Sequence, residues 1–291
     1  FRNRVADLAQ LSESIIADRL REFDNSLLVL RDDFAADPKR FPETIRQLRS
    51  GPLADREIFV VLNDREGYLT YTDTPNVKPG LYLGDSLYFR HFADGAKDSL
   101  HISAPLFGRV TNRYSIPMVR PIYDKQGDFL GVVALSVRQD SLVNFGPRLQ
   151  LSGDTTVTVI THDGAVAGRS RDFEKVQGTK IPPELLAPML TGSEGVFSNR
   201  ATPDGLERII AYRHIPETPL IVYVEISPGY VRREISLHRT VLMWGAGLTS
   251  LIIMVLIVVH LKGRKTSIQL MDAVRKSKEQ EYETLTGTSL D

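Results

Sequence analysis

Residues 241–261 read VLMWGAGLTSLIIMVLIVVHL, without one Asp, Glu, Lys or Arg. As a helix rising ~1.5 Å per residue the run is ~31 Å long, close to the hydrocarbon thickness of a bilayer. A helix buried in a soluble core is rarely apolar on every face over such a length. The run is therefore read as a transmembrane helix, with Trp244 and His260 near its two interfaces. Of the 36 basic and 36 acidic residues, 30 and 31 precede this segment and 6 and 5 follow it. Neither side carries the basic footprint of a nucleic-acid-binding protein or an acidic tail, so no nucleic-acid partner is expected. Lys262, Arg264 and Lys265 follow the segment, but Arg232, Arg233 and Arg239 precede it. The positive-inside bias thus favours a cytoplasmic C-terminus only slightly. Volume is the better guide, because most of the chain lies before the span and belongs on one side of the membrane.

The chain has no cysteine, which excludes disulfide frameworks, thiol nucleophiles and cysteine-based metal sites. Its six histidines show no HExxH or other close metal spacing, and no GxSxG elbow, P-loop or GxGxxG occurs. No catalytic residue, metal or cofactor is expected, and this chain is not read as an enzyme. It starts at Phe1 rather than Met, as a fragment of a longer protein would.

Before the apolar run the organisation is legible in periods. Ile16, Leu20, Phe23, Leu27, Leu30 and Phe34 are spaced 4, 3, 4, 3, 4, with Val5, Leu8 and Leu11 extending the stripe backward. That is a helix, stopped by Asp37-Pro38. Its apolar face serves either as core packed on a sheet or as a dimer seam with coiled-coil spacing. EIFVVLN and YLTYTD flank a turn and read as a hairpin; SIPMVRPIYD and FLGVVALSV read as a second. Between them GDSLYFRHFADG has helical character, with Asp85 as expected N-cap and Gly95 as C-cap. After a linker near Phe145-Gly146-Pro147, TTVTVITHDGAVAGRS is a hairpin over His162-Asp163-Gly164. PPELLAPML is a short helix, and three more strands lie in GVFSNRATPDGLERIIAYRHI and PLIVYVEIS. The order strand, strand, helix, strands therefore occurs twice.

The segment GDSLYFRHFADGAKDSLHISAPLFGRVTNRYSIPMVRPIYDKQGDFLGVVALSV resembles the membrane-distal half of double Cache sensor domains, which are tandem PAS-like modules. THDGAVAGRS and DGLERIIAYRHIPETPLIVYVEIS are similar to the membrane-proximal half, and together the likeness covers roughly residues 1–230. It implies an α+β fold with a long N-terminal helix, two tandem PAS-like antiparallel-sheet subdomains and then a transmembrane helix. The implied division is a stalk helix and connection at 1–50, a distal subdomain at 51–147 and a proximal one at 148–227. A juxtamembrane helix at 228–240, the membrane helix at 241–261 and a cytoplasmic linker helix at 262–291 complete it. The resemblance further implies a homodimeric bacterial receptor of the inner membrane, with residues 1–240 periplasmic and 262–291 cytoplasmic. Its ligand would be a small molecule bound in the distal half. TLTGTSLD is similar to the opening of a cytoplasmic PAS domain, and the implied output is a diguanylate cyclase or phosphodiesterase of cyclic di-GMP signalling. A histidine kinase or chemoreceptor sensor is the alternative, as is a membrane-anchored dimerisation module without a small ligand.

For the ligand, period-two alternation puts Tyr114, Ile116, Met118 and Arg120 on one face of a strand. An arginine on an apolar face calls for an anionic partner, and Tyr88, Phe89 and His91 can cover that face from the preceding helix. Such a lining suits an anionic, carboxylate-bearing molecule held by the guanidinium fork. The family often carries Asp-Arg ahead of its Tyr-Phe, whereas this chain has Asp85-Ser86, so that contact falls to Arg90. The expected ligand set is Tyr88, Arg90, His91, Tyr114 and Arg120, with Ser136 on the neighbouring strand. A structural ion pair of Arg120 with Asp124 or Asp85, and plain core packing for Tyr88 and Phe89, stand as the alternatives.

Overall fold

The computed structural model describes residues 2–54, 57–145, 151, 155–199, 207–226 and 243–260, together with 262, 264, 269–271 and 273–278. The chain forms two compact units, Phe1–Tyr230 and Val231–Asp291. The first unit opens on helix α1 (Arg2–Ala36) and helix α2 (Phe41–Arg49). Strands β1 (Ile58–Asp64) and β2 (Leu69–Thr72) form the first hairpin, helix α3 (Leu87–Ala93) follows, and β3 (His101–Ile102) and β4 (Leu106–Gly108) are short. Strands β5 (Arg113–Tyr123) and β6 (Phe129–Arg138) form the second hairpin. Next come β7 (Thr155–Thr161), β8 (Val166–Arg169), helix α4 (Pro183–Met189), β9 (Glu194–Asn199), β10 (Arg208–His214) and β11 (Leu220–Ile226).

The strands make two antiparallel sheets, in the orders β2-β1-β6-β5-β3, with β4 also on β5, and β8-β7-β11-β10-β9. The two orders are equivalent: the opening hairpin of each sheet, β1–β2 or β7–β8, lies beside its last strand, β6 or β11. The α+β architecture of one long helix and two PAS-like sheets is thus the one expected.

Helix α1 buries Val5, Ala9, Ser12, Ile16, Leu20, Phe23, Leu27 and Leu30, three or four residues apart. That face packs on β5 and β6 of the first sheet and on β9, β10 and β11 of the second. The 4-3-4-3 stripe is therefore core, and the dimer-seam alternative for it is corrected: the sheets of the same chain occupy it. Helix α2 lies where the sequence reading has only a connection. Asp37 accepts from the Lys39 N–H at 3.1 Å, capping a short turn at Pro38–Arg40 that leads into it.

Two prolines sit in the central strand β5, where a missing N–H is normally excluded. The Pro117 carbonyl accepts from the Ser103 N–H, so the proline nitrogen also faces the β3–β4 side. Its partner strand is broken there: β4 pairs at Arg113–Ser115 and β3 at Met118–Val119. The proline thus sits at the gap between two short strands, beside the site described below.

In the second unit the helix Met243–His260 has a mean hydropathy of 2.0 over 18 residues, and none of it is buried. It is long and apolar enough to cross a membrane. The linker Gly146-Pro147, the juxtamembrane segment 228–240 and the TLTGTSLD segment lie outside the described residues.

Candidate functional site

Both faces of the first sheet are buried, and they do different things. Along β5, Arg120 reaches α1, so Ile116, Met118 and Arg120 share the helix side; Ser115, Pro117 and Val119 share the other. On that second side lies a hydrophobic cluster that includes Val61, Leu83, Tyr88, Phe89, Val110 and Ala134. Within it is a cavity of about 200 Å³. Its floor is Val61 on β1, Ser115 and Pro117 on β5, and Ala134 and Ser136 on β6. Ser86 and Tyr88 lie over it from the start of α3, and Leu106–Thr111 forms its side.

The polar groups are few and placed. Ser136 Oγ donates to Ser115 Oγ at 2.8 Å, both buried in the floor. Ser86, rather than Asp85, is the residue preceding α3, and its hydroxyl donates to the Leu83 carbonyl at 2.6 Å. Burial pushes the Tyr88 hydroxyl above its usual acidity range, against a hydrogen bond with Ser86. At the mouth, Arg109 Nη1 and Nη2 donate to the two carboxylate oxygens of Asp85 at 3.2 and 2.5 Å. This pairing holds the Asp85 carboxyl below the ordinary carboxylate range. A guanidinium fork thus stands at the entrance of a small cavity that is apolar at its sides and hydroxylic at its floor.

Of the six residues expected from the sequence, Tyr88 and Ser136 line this cavity and the other four do not. Arg90 is exposed on α3, 3.8 Å from Asp94. His91 is exposed and stacks on His101 with centroids 3.9 Å apart. Tyr114 packs edge-on against Phe107 and approaches Gly178 of the second sheet's subdomain. Arg120 is on the helix side, donating to Asp24 through Nε at 2.7 Å and Nη2 at 2.8 Å, and to Asp98 through Nη1 at 3.0 Å. It pairs with neither Asp124, which accepts from the Gln126 and Asp128 N–H groups of its own turn, nor Asp85, which holds Arg109.

A family profile described as Cache domain, of the double type, matches residues 2–235. The chain belongs to the Cache domain family. Cache domains are sensor modules, not catalytic ones. The extracellular domain of the histidine-kinase candidate rpHK1S-Z16 has a similar fold: TM-score 0.64, 23% identity, 77% of this chain and 94% of that one. The ligand-binding domain of Pseudomonas aeruginosa PAO1 amino acid chemoreceptor PctB with L-Arg gives 0.61, 14%, 79% and 96%. That of Campylobacter jejuni chemoreceptor Tlp3 with 4-methylisoleucine gives 0.59, 15%, 79% and 92%. A search of curated proteins returns no match. Ser86 was marked in the sequence only as a departure from the family's Asp-Arg, while Arg109 and Ser115, which also shape this Cache cavity, carried no signal. Arg109 lies in the irregular polar run GRVTNR, and Ser115 differs from any other strand serine only in the face it takes.

Proposed function

We propose that this chain is the extracytoplasmic sensor region of a transmembrane receptor and that its distal cavity binds a small carboxylate, foremost an aliphatic α-amino acid. The supporting observation is Arg109, which lines the cavity, is half exposed and carries its partner Asp85 beside it. An α-amino acid offers a carboxylate to the guanidinium and an ammonium to the aspartate, while its side chain meets Val61, Pro117 and Ala134. At about 200 Å³ the cavity takes a ligand of few heavy atoms. Two of the similar chemoreceptor domains are in complex with L-Arg and 4-methylisoleucine, which supports the same class. In this reading the helix at Met243–His260 crosses the inner membrane, residues before it are periplasmic and those after it cytoplasmic. The output is a diguanylate cyclase or phosphodiesterase, or the histidine kinase that one similar extracellular domain suggests. A homodimer would use the outer face of α1, where Leu11 and Val29 are exposed; with no native cysteine, disulfide trapping from these two positions reads it directly. The ligand test is a thermal-shift screen of the full chain in detergent with the common L-amino acids. One or more aliphatic members should raise Tm, as binding does by mass action, and Arg109→Ala should remove the shift. No shift with any of them refutes the amino-acid reading.

A further inference from the structure

Ser115 and Ser136 are 2% and 8% exposed, yet they stand in a floor completed by Val61, Pro117 and Ala134. Strand register brings them together: Ser136 on β6 is opposite Pro117, and Ser115 lies two residues before that proline on the same face of β5. Their hydrogen bond with each other uses one of the two hydroxyl protons. Whichever serine donates, the other's proton has no acceptor among the described residues. Beside them Gly108 leaves a space open. A Cβ there would stand 3.4 Å from Ser115 Oγ and 2.6 Å from Thr111 Oγ1. Thr111 Oγ1 donates to the Arg113 carbonyl at 3.4 Å, which leaves its lone pairs to accept. Gly108, Thr111 and Ser115 all line the cavity. An unused donor and an acceptor thus border one small space.

Core packing accounts poorly for this floor. A buried hydroxyl proton without an acceptor carries a desolvation cost that a methyl group does not, and Ala134 already fills the neighbouring position of β6 on the same face. A ligand tip with its own hydroxyl resolves both ends: it accepts the spare proton of the serine pair and donates to Thr111. A hydrocarbon tip would bury both groups unmet, and a site built to hydrogen-bond a hydroxyl rejects the analogue lacking it. A carboxylate tip would bring a charge against a floor that holds none to meet it.

We infer that the serine pair sets the specificity of the distal cavity, selecting a short aliphatic amino-acid side chain tipped with a hydroxyl over the plain hydrocarbon of the same shape. This rests on the amino-acid reading of the cavity and narrows it. Calorimetric titration of the full chain in detergent with two isosteric pairs tests it: L-threonine with L-valine, and L-homoserine with L-norvaline. The hydroxyl member of at least one pair should bind at least about fivefold tighter. Replacing Ser115 and Ser136 together by Ala removes both hydroxyls and leaves neither partner unmet, so the fold should hold. In that variant the same pair should come within about twofold, with the hydrocarbon member gaining affinity, which a folding defect cannot produce. An advantage under about fivefold in both pairs of the wild type overturns the inference. An advantage that persists in the double variant, or loss of both members there, overturns it as well. Should the hydrocarbon members bind as tightly as the hydroxyl ones, the proposed function stands without this specificity; should none of the four bind and no other L-amino acid raise Tm, both fall.

Discussion

Removing the Arg120 side chain separates its two conceivable roles. In the structure it ties the middle of α1 to the first sheet, with side chains 14% exposed for Arg120 and 22% for Asp24. The Asp24 carboxylate raises the affinity of the guanidinium for its proton. Breaking a fully buried pair costs about 3–5 kcal/mol, since the partner charge stays behind. Asp24 keeps some contact with water and Asp98 is 43% exposed, so about 2–3 kcal/mol is expected for Arg120→Ala. For a folded unit of this size that corresponds to a Tm lower by roughly 5–10 °C. Asp24→Ala should cost a similar amount, and the double variant should fall short of the sum by at least about 1 kcal/mol. Thermal unfolding followed by near-ultraviolet circular dichroism, at low and high salt, reads all four proteins. Additive losses, or an unchanged Tm in Arg120→Ala, refute the reasoning. Normal stability with lost ligand binding would return Arg120 to the binding site.

Leu27→Ala should destabilise by about 2–5 kcal/mol, whereas Leu11→Ala on the outer face of α1 should change urea stability by under ~0.5 kcal/mol; equal effects would contradict the packing of α1. Gly131 has φ +137°, and a Cβ there would lie 2.0 Å from the Asn63 carbonyl oxygen, so Gly131→Ala should cost about 3 kcal/mol in denaturant titration. Burial, then the neighbouring His91, lowers the His101 pKa from 6.5 to about 4. Above pH 6.5 both folded and unfolded forms are neutral, and as pH falls toward 4 the unfolded chain takes up the proton first. Stability should therefore decline by about 1–2 kcal/mol across that window, after allowance for partial exposure, and His101→Gln should flatten the decline in unfolding curves taken at pH 7.5 and 4.5.

The hairpins were legible because each strand pair is long, apolar and joined by a polar turn: the expected SIPMVRPIYD and FLGVVALSV became β5 and β6. Alternation also grouped Tyr114, Ile116, Met118 and Arg120 as one face. It could not say which face meets α1, because Ser115 through Val119 are all buried and neither face is marked by solvent. The answer depends on Asp24, ninety-six residues away in sequence. Strands β3 and β4, of two and three residues, are too short to show a period. Their boundary is set by Pro117 on the neighbouring strand rather than by their own residues. The stripe on α1 had the spacing of either a seam or a core, and only the two sheets decide between them.

The central claim is that the ligand meets Arg109 at the distal cavity and not Arg120 behind the sheet. Isothermal titration of the wild-type chain, Arg109→Ala and Arg120→Ala with each aliphatic L-amino acid that raises Tm tests it most directly. The expected result is binding weakened at least about tenfold in Arg109→Ala and affinity unchanged in Arg120→Ala below its own melting temperature. Retained binding in Arg109→Ala together with lost binding in Arg120→Ala would contradict the account.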